Sequence, residues 1–277
     1  MTGPTGHRPS GMAERGRFGA RHRTTCGVVM ALALLLGGSV GVANAVPLGE
    51  RCAFARSTQG RPLEVVRRGT PGGVRVMVVG VIHGDEDAGL QIVDELLDID
   101  VPDGIDLWIV PTMNPDGTAA QVRGNANGVD LNRNFPYRWA RMGKRGYWQF
   151  SGPRAASEVE TREMVRFMRA VRPQLAIWYH QDLNLVAPGV GVEGKIRERY
   201  AQLTNLPMRT ITGGTYTGVA ATWQRNRVPD SMGFVVELGP TLRSGDALMH
   251  ARAVLAVAGM LRTAQTPVSG ESQCLAP

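Results

Sequence analysis

Cysteine is scarce: the chain has 3 in 277 residues and no C-x-x-C pair, so a thiolate metal cluster is not expected. Aromatic residues make up only 6%, and nucleic acid is not an expected partner. There is no repeat of solenoid length and no G-X-Y period behind the 35 glycines, which excludes collagen. No H-E-x-x-H string occurs. Only one stretch, 28–43, approaches the length of a bilayer span, which excludes a multi-pass membrane protein. What remains is ordinary: 43% hydrophobic and 20% charged residues fit a globular chain rather than a disordered one.

The apolar stretch sits near the start. Arg8, Arg15, Arg17, Arg21 and Arg23 precede it against a single acid, Glu14, and Ala43-Asn44-Ala45 follows. A basic segment, an apolar run and a small-x-small site predict a secretory leader over 1–45; an uncleaved anchor is the alternative. Removing 45 residues leaves 232, and the loss of five arginines and one glutamate lowers the net charge from +7 to +3. The predicted location is secreted or cell-envelope, with no membrane contact once the leader is gone. Cys52 and Cys274 then stand at the two ends of the remaining chain. A disulfide between them would stabilise by roughly 4–5 kcal/mol on the chain-entropy model; two unpaired thiols are the alternative.

Strands are expected over 62–67, 74–82, 105–111, 175–179 and 232–238, where apolar, β-branched runs are short. Helical spacing appears over 86–98, 193–203 and 244–264, and S-x-x-E from Ser157 predicts a capped helix to about Ala170. Strands alternating with helices imply an α/β three-layer sandwich with a mostly parallel or mixed sheet, as one domain over 46–277. Between them lies a long polar stretch, 112–156, of the kind that is functional or disordered.

Only three histidines lie beyond the leader: His83, His180 and His250. His83 directly follows the 74–82 strand, and Glu86 comes three residues later. His180 ends the strand that begins at Leu175. Two histidines and one glutamate make an open zinc site with room for water, and such sites collect at the carboxyl ends of strands in open sheets. Hydrogen-bonded structural histidines would look the same, so both readings stand on these residues alone. His250 reads as a surface or packing residue. G-x-G-x-x-G at Gly189 lacks a dinucleotide-binding context and reads as a flexible loop. Ser231, in P-D-S-M-G, does not match a nucleophile elbow. Most tryptophans should be core, with Trp148 a candidate for a substrate groove.

The strings H-G-D-E from His83, N-P-D-G from Asn114, R-G-N-A-N-G-V-D-L-N-R-N-F-P from Arg123, Ser151-Gly152-Pro153, and V-V-E-L around Glu237 occur in one order. Together they resemble the zinc carboxypeptidase family over about 60–262, and its small bacterial murein peptide amidase branch most. The resemblance implies a sandwich around a mixed, roughly eight-stranded sheet and one Zn2+ per chain held by His83, Glu86 and His180. It implies Glu237 as the catalytic glutamate and Arg123 as the oxyanion-stabilising arginine. Asn132 and Arg133 would bind a substrate carboxylate, and Asp130 would stand behind His83. Tyr216 does not align cleanly with the family's loop tyrosine and receives no role. No charged side chain falls near Ala221 and Thr222, where side-chain selection is expected. The implied activity is hydrolysis of an amide beside a free carboxylate, with cell-wall peptide as substrate and partner. A carboxypeptidase acting on ordinary peptides and a non-catalytic binder of cell-wall peptide on the same scaffold are the alternatives.

Overall fold

The computed structural model describes residues 46–261, which fall within one compact unit. The predicted leader and Cys274 lie outside the described residues. Among the described residues no helix is long and apolar enough to cross a membrane.

Seven strands form one mixed sheet: β1 (Arg51–Arg56), β2 (Pro62–Gly69), β3 (Val74–Val81), β4 (Ile105–Thr112), β5 (Leu175–Gln181), β6 (Leu185–Val186) and β7 (Met232–Leu238), in the order β1-β2-β4-β3-β5-β7-β6. The four central strands are parallel and the flanking pairings antiparallel. Every residue of β3 is buried, as expected of a strand covered on both faces. Its side chains alternate between two cores. Val74, Val76 and Val78 pack with α1 (Gly89–Asp98), α4 (Gly191–Thr204) and α6 (Asp246–Gly259). Met77 and Val79 pack on the other side with α3 (Val159–Val171) and α5 (Ala220–Arg227). Each such buried valine contributes on the order of 1.5–3 kcal/mol, and the two cores make the sandwich three layers.

The sheet has seven strands among the described residues, not about eight. Beyond β6 the pairing shrinks to a single bridge, Val186 to Met208. Pro207 precedes Met208 and has no N–H to extend the ladder. The S-x-x-E cap is also not formed. Glu158 is the N-cap of α3 and makes no capping bond. Ser157 Oγ instead bonds Glu158 and Asn134, while Glu160 accepts from Thr58 N and Asn125. Tertiary partners outbid the local cap. The G-x-G-x-x-G string is partly helical, because α4 opens at Gly191. Strands β1 and β6 and helices α2 (Pro115–Ala120) and α5 were not expected.

Candidate metal centre

The site forms where the parallel strands end. His180 is the sixth residue of β5 and pairs directly with Glu237 on β7. Both share the face of Trp178 and Val235, toward α3 and α5, because residues two apart point the same way. His83 lies two residues past β3, in a turn closed by Glu86 N donating to His83 O at 3.1 Å. That turn lies against α2, and a Cβ on Gly84 would come within 2.0 Å of the Gly117 carbonyl carbon. Only glycine allows this approach. Asn114 locks it: its Nδ2 donates to Ile82 O and Arg123 O, and its Oδ1 accepts from Gly117 N.

His83, Glu86 and His180 each turn one ligand atom inward, and these atoms lie within 4.8 Å of one another. Nδ1 of His83 is 2.8 Å from Glu86 Oε1, and Nδ1 of His180 is 2.8 Å from Glu86 Oε2. The outer nitrogens are also engaged. His83 Nε2 meets Asp130 Oδ1 at 2.9 Å, and His180 Nε2 meets Asn132 Nδ2 at 3.1 Å. Asn132 Oδ1 accepts from Ala220 N, so its amide nitrogen faces the ring. The imidazole is then the acceptor, and the His180 proton rests on Nδ1, toward Glu86. Two imidazoles and a carboxylate converging with one ring backed by an acid is the donor chemistry of an open zinc site, so the residues present fit the metal.

The charges interlock. Burial opposes ionisation of Glu86, but His180 and His83 outweigh it and hold its carboxyl far below the usual range. Burial likewise opposes charge on Asp130, and His83 with Arg123 and Arg133 lowers its carboxyl pKa instead. Burial disfavours the His83 imidazolium, yet Asp130 and Glu86 more than offset this and raise its pKa. His180 moves down, chiefly through burial. Glu237 stands apart: burial, then the nearby Glu86 charge, lifts its pKa from 4.5 to about 7.

Arg123 donates Nε and Nη2 to Asp130 Oδ2 (3.0 and 2.9 Å) and Nη1 to Glu86 Oε1 (2.8 Å). These use three of the guanidinium's five N–H groups and leave two for a ligand. Arg133 is buried. It donates to Asn132 O, its Nε has no partner among the described residues, and the Tyr216 ring lies 5.1 Å from its guanidinium. Trp148 is 61% exposed and stacks 5.0 Å over Arg123. Ala221 is buried on α5 with Thr222 beside it.

The polar stretch 112–156 is ordered by buried amides that sequence reasoning missed. Asn125 Oδ1 accepts from Asn127 N and Val129 N, and its Nδ2 donates to Glu158 and Glu160. Asn134 Nδ2 donates to Ser151 O and Ser157 Oγ. These bonds fix the segment carrying Asp130, Asn132 and Arg133. The one available signal was the density of asparagine.

The zinc carboxypeptidase family profile matches residues 48–210, a segment that ends before Glu237. Murein peptide amidase A of Escherichia coli (strain K12) is 29% identical over 195 residues, covering 64% of this chain and 80% of that protein. Carboxypeptidase SOL1 of Arabidopsis thaliana is 29% identical over 169 residues, covering 54% and 32%. The crystal structure of murein-tripeptide amidase from Escherichia coli O157 superposes with a TM-score of 0.62 at 24% identity, over 82% of this chain and 96% of that one. Carboxypeptidase A from Helicoverpa armigera gives 0.68 at 18% identity, over 78% and 68%. These structural likenesses show a shared fold.

Proposed function

Because the chain belongs to the zinc carboxypeptidase family and is a hydrolytic metallopeptidase, we propose that it cleaves an amide bond beside a free carboxylate in cell-wall peptides. The observation that carries this is the convergence of His83, Glu86 and His180 beside Glu237, which pairs with His180. His83, Glu86 and His180 would hold one zinc ion. Zinc there supplies Lewis-acid polarisation of the scissile carbonyl and makes water a stronger acid. Asp130 orients His83 through Nε2.

Glu237 takes a proton from the attacking water and passes it to the departing amine. Without zinc, burial and the Glu86 charge lift its carboxyl to about 7, and zinc on Glu86 would weaken the second of these causes. The two unused N–H groups of Arg123 meet the developing oxyanion with fixed positive charge. Arg133 receives the substrate carboxylate on its planar fork. The Asn132 amide keeps one N–H for the same group while the other faces His180.

One observation supports cell-wall peptide: the murein peptide amidase relatives. The lack of a charged side chain at Ala221 and Thr222 argues only against a pocket that selects basic or acidic C-terminal side chains by direct pairing. The leader over 1–45 would deliver the enzyme to the envelope, where Cys52 and Cys274 could pair. A second reading, removal of C-terminal residues from ordinary peptides, is favoured by the carboxypeptidase relatives. The test mixes purified protein with L-Ala-γ-D-Glu-diaminopimelate and with C-terminally varied ordinary peptides, with and without chelator. Chelator-sensitive release of diaminopimelate is expected. Cleavage of ordinary peptides alone transfers the assignment to carboxypeptidase, and binding of cell-wall peptide without turnover makes the protein a binder.

A further inference from the structure

Between Asp130 and Glu158 the chain has no acidic residue and six basic ones. Four of these, Arg138, Arg141, Lys144 and Arg145, are exposed within eight residues. Among the described residues, Arg141, Lys144 and Arg145 take part in no ion pair. The segment is anchored rather than loose. Met142 N donates to Ser151 Oγ at 2.8 Å, Trp139 Nε1 donates to Ser151 O at 3.1 Å, and Asp130 N donates to Phe150 O at 2.8 Å.

One residue of the segment touches the reaction centre and another touches a neighbour of it. Trp148 covers the Arg123 guanidinium. Six residues earlier, Met142 Sδ accepts from Thr217 Oγ1 at 3.3 Å, beside Tyr216, whose ring lies against Arg133. Arg141, Lys144 and Arg145 lie in the chain beside and between these two contacts.

We propose that residues 138–148 form a cationic rim that selects substrates bearing negative charge on the acyl side of the scissile bond. The proposal rests on reading Arg133 as the anchor for the leaving-side carboxylate. With that end fixed at Arg133, the rest of the substrate must leave past Arg123, under Trp148, and along Arg141, Lys144 and Arg145. Trp148 is a positioning residue that holds Arg123 by its ring face. The three cations attract an acyl-side carboxylate through solvent, so their effect weakens with salt.

The test compares zinc-loaded wild type with the triple variant Arg141→Gln/Lys144→Gln/Arg145→Gln on two matched pairs. One is L-Ala-γ-D-Glu-diaminopimelate against its α-carboxamide. The other is an ordinary peptide with Glu against Gln just before the scissile bond. Wild type is expected to favour the charged member in kcat/KM by about three- to tenfold at low salt, as a few solvent-exposed ion pairs allow. The preference should fade at high salt and fall to near parity in the triple variant. No preference in wild type, or a preference that survives in the variant, overturns the proposal. Turnover of the ordinary pair alone would end the cell-wall reading yet still decide the rim. Equilibrium binding of both pairs to Glu237→Gln protein repeats the comparison without turnover.

Discussion

Replacing Glu237 by Gln separates a catalytic glutamate from a structural one, because the two roles predict opposite changes in stability. Glu237 is mostly buried, and its carboxyl is lifted from 4.5 to about 7 by burial and by Glu86. Ionising such a group in the folded protein costs up to about 3 kcal/mol. Below pH 4.5 the folded and unfolded chains both keep the proton, and the group costs nothing. As pH rises toward 7 the unfolded chain ionises first, and the folded protein loses stability. Glutamine has nearly the same shape and no charge. In chelator-treated protein the variant should therefore match wild type near pH 4 and exceed it by roughly 1–3 kcal/mol at pH 8, less any lost hydrogen bond. Urea unfolding at the two pH values measures this. The zinc-loaded variant should lose about 10²- to 10⁴-fold in kcat if Glu237 is the general base. A variant less stable than wild type at pH 8, or one that retains turnover, would refute the reasoning. A stable and inactive protein would mean that the fold tolerates a strained charge for the sake of chemistry.

Zinc binding to the chelator-treated enzyme should release protons, because Nδ1 of each histidine shares a proton with Glu86 in the present geometry. Affinity should fall as pH is lowered through the raised pKa of His83, and pH-indicator titration with added zinc reads both effects. Asp130→Asn weakens the acceptor for His83 Nε2 and removes the charge facing Arg123. Zinc affinity should drop by about 10–100-fold, measured by competition with a chelator of known strength. Zinc at 100 times its dissociation constant should stabilise the protein by about 2.7 kcal/mol, seen as a higher denaturant midpoint. Tyr200→Phe removes the hydroxyl between Tyr179 OH and His250 Nδ1. It should cost about 1–3 kcal/mol and leave kcat/KM near wild type, because the network is packed among α4, α6 and β5, away from Glu86.

The site was legible in the sequence to the extent that its residues terminate recognisable strands. His83, His180 and Glu237 each follow an apolar run, and the run itself tells where the strand stops. The order of the short strings carried the rest. Elements without such a signature were missed. Strand β6 has two residues, too few for any periodicity. Helix α5 is half polar, and Trp223 and Gln224 are buried by what packs on them. Ser157 and Glu160 have the spacing of a local cap, yet both bond to distant partners, because buried polar groups take the best acceptor available in the fold. His250 is buried and bonded to Tyr200; its helix gave no sign that α4 would cover it.

Sequence alone determined the alternation of strands and helices and the residue types with metal and acid–base chemistry, since both depend on local pattern and on side-chain identity. Only the tertiary structure decided which of these groups meet. The meeting of Glu86 with His180, 94 positions apart, and the pairing of His180 with Glu237 depend on strand order and register, which arise from packing two cores on one sheet. The pKa of Glu237 has the same origin, because burial and a neighbouring charge exist only once the chain has closed around them.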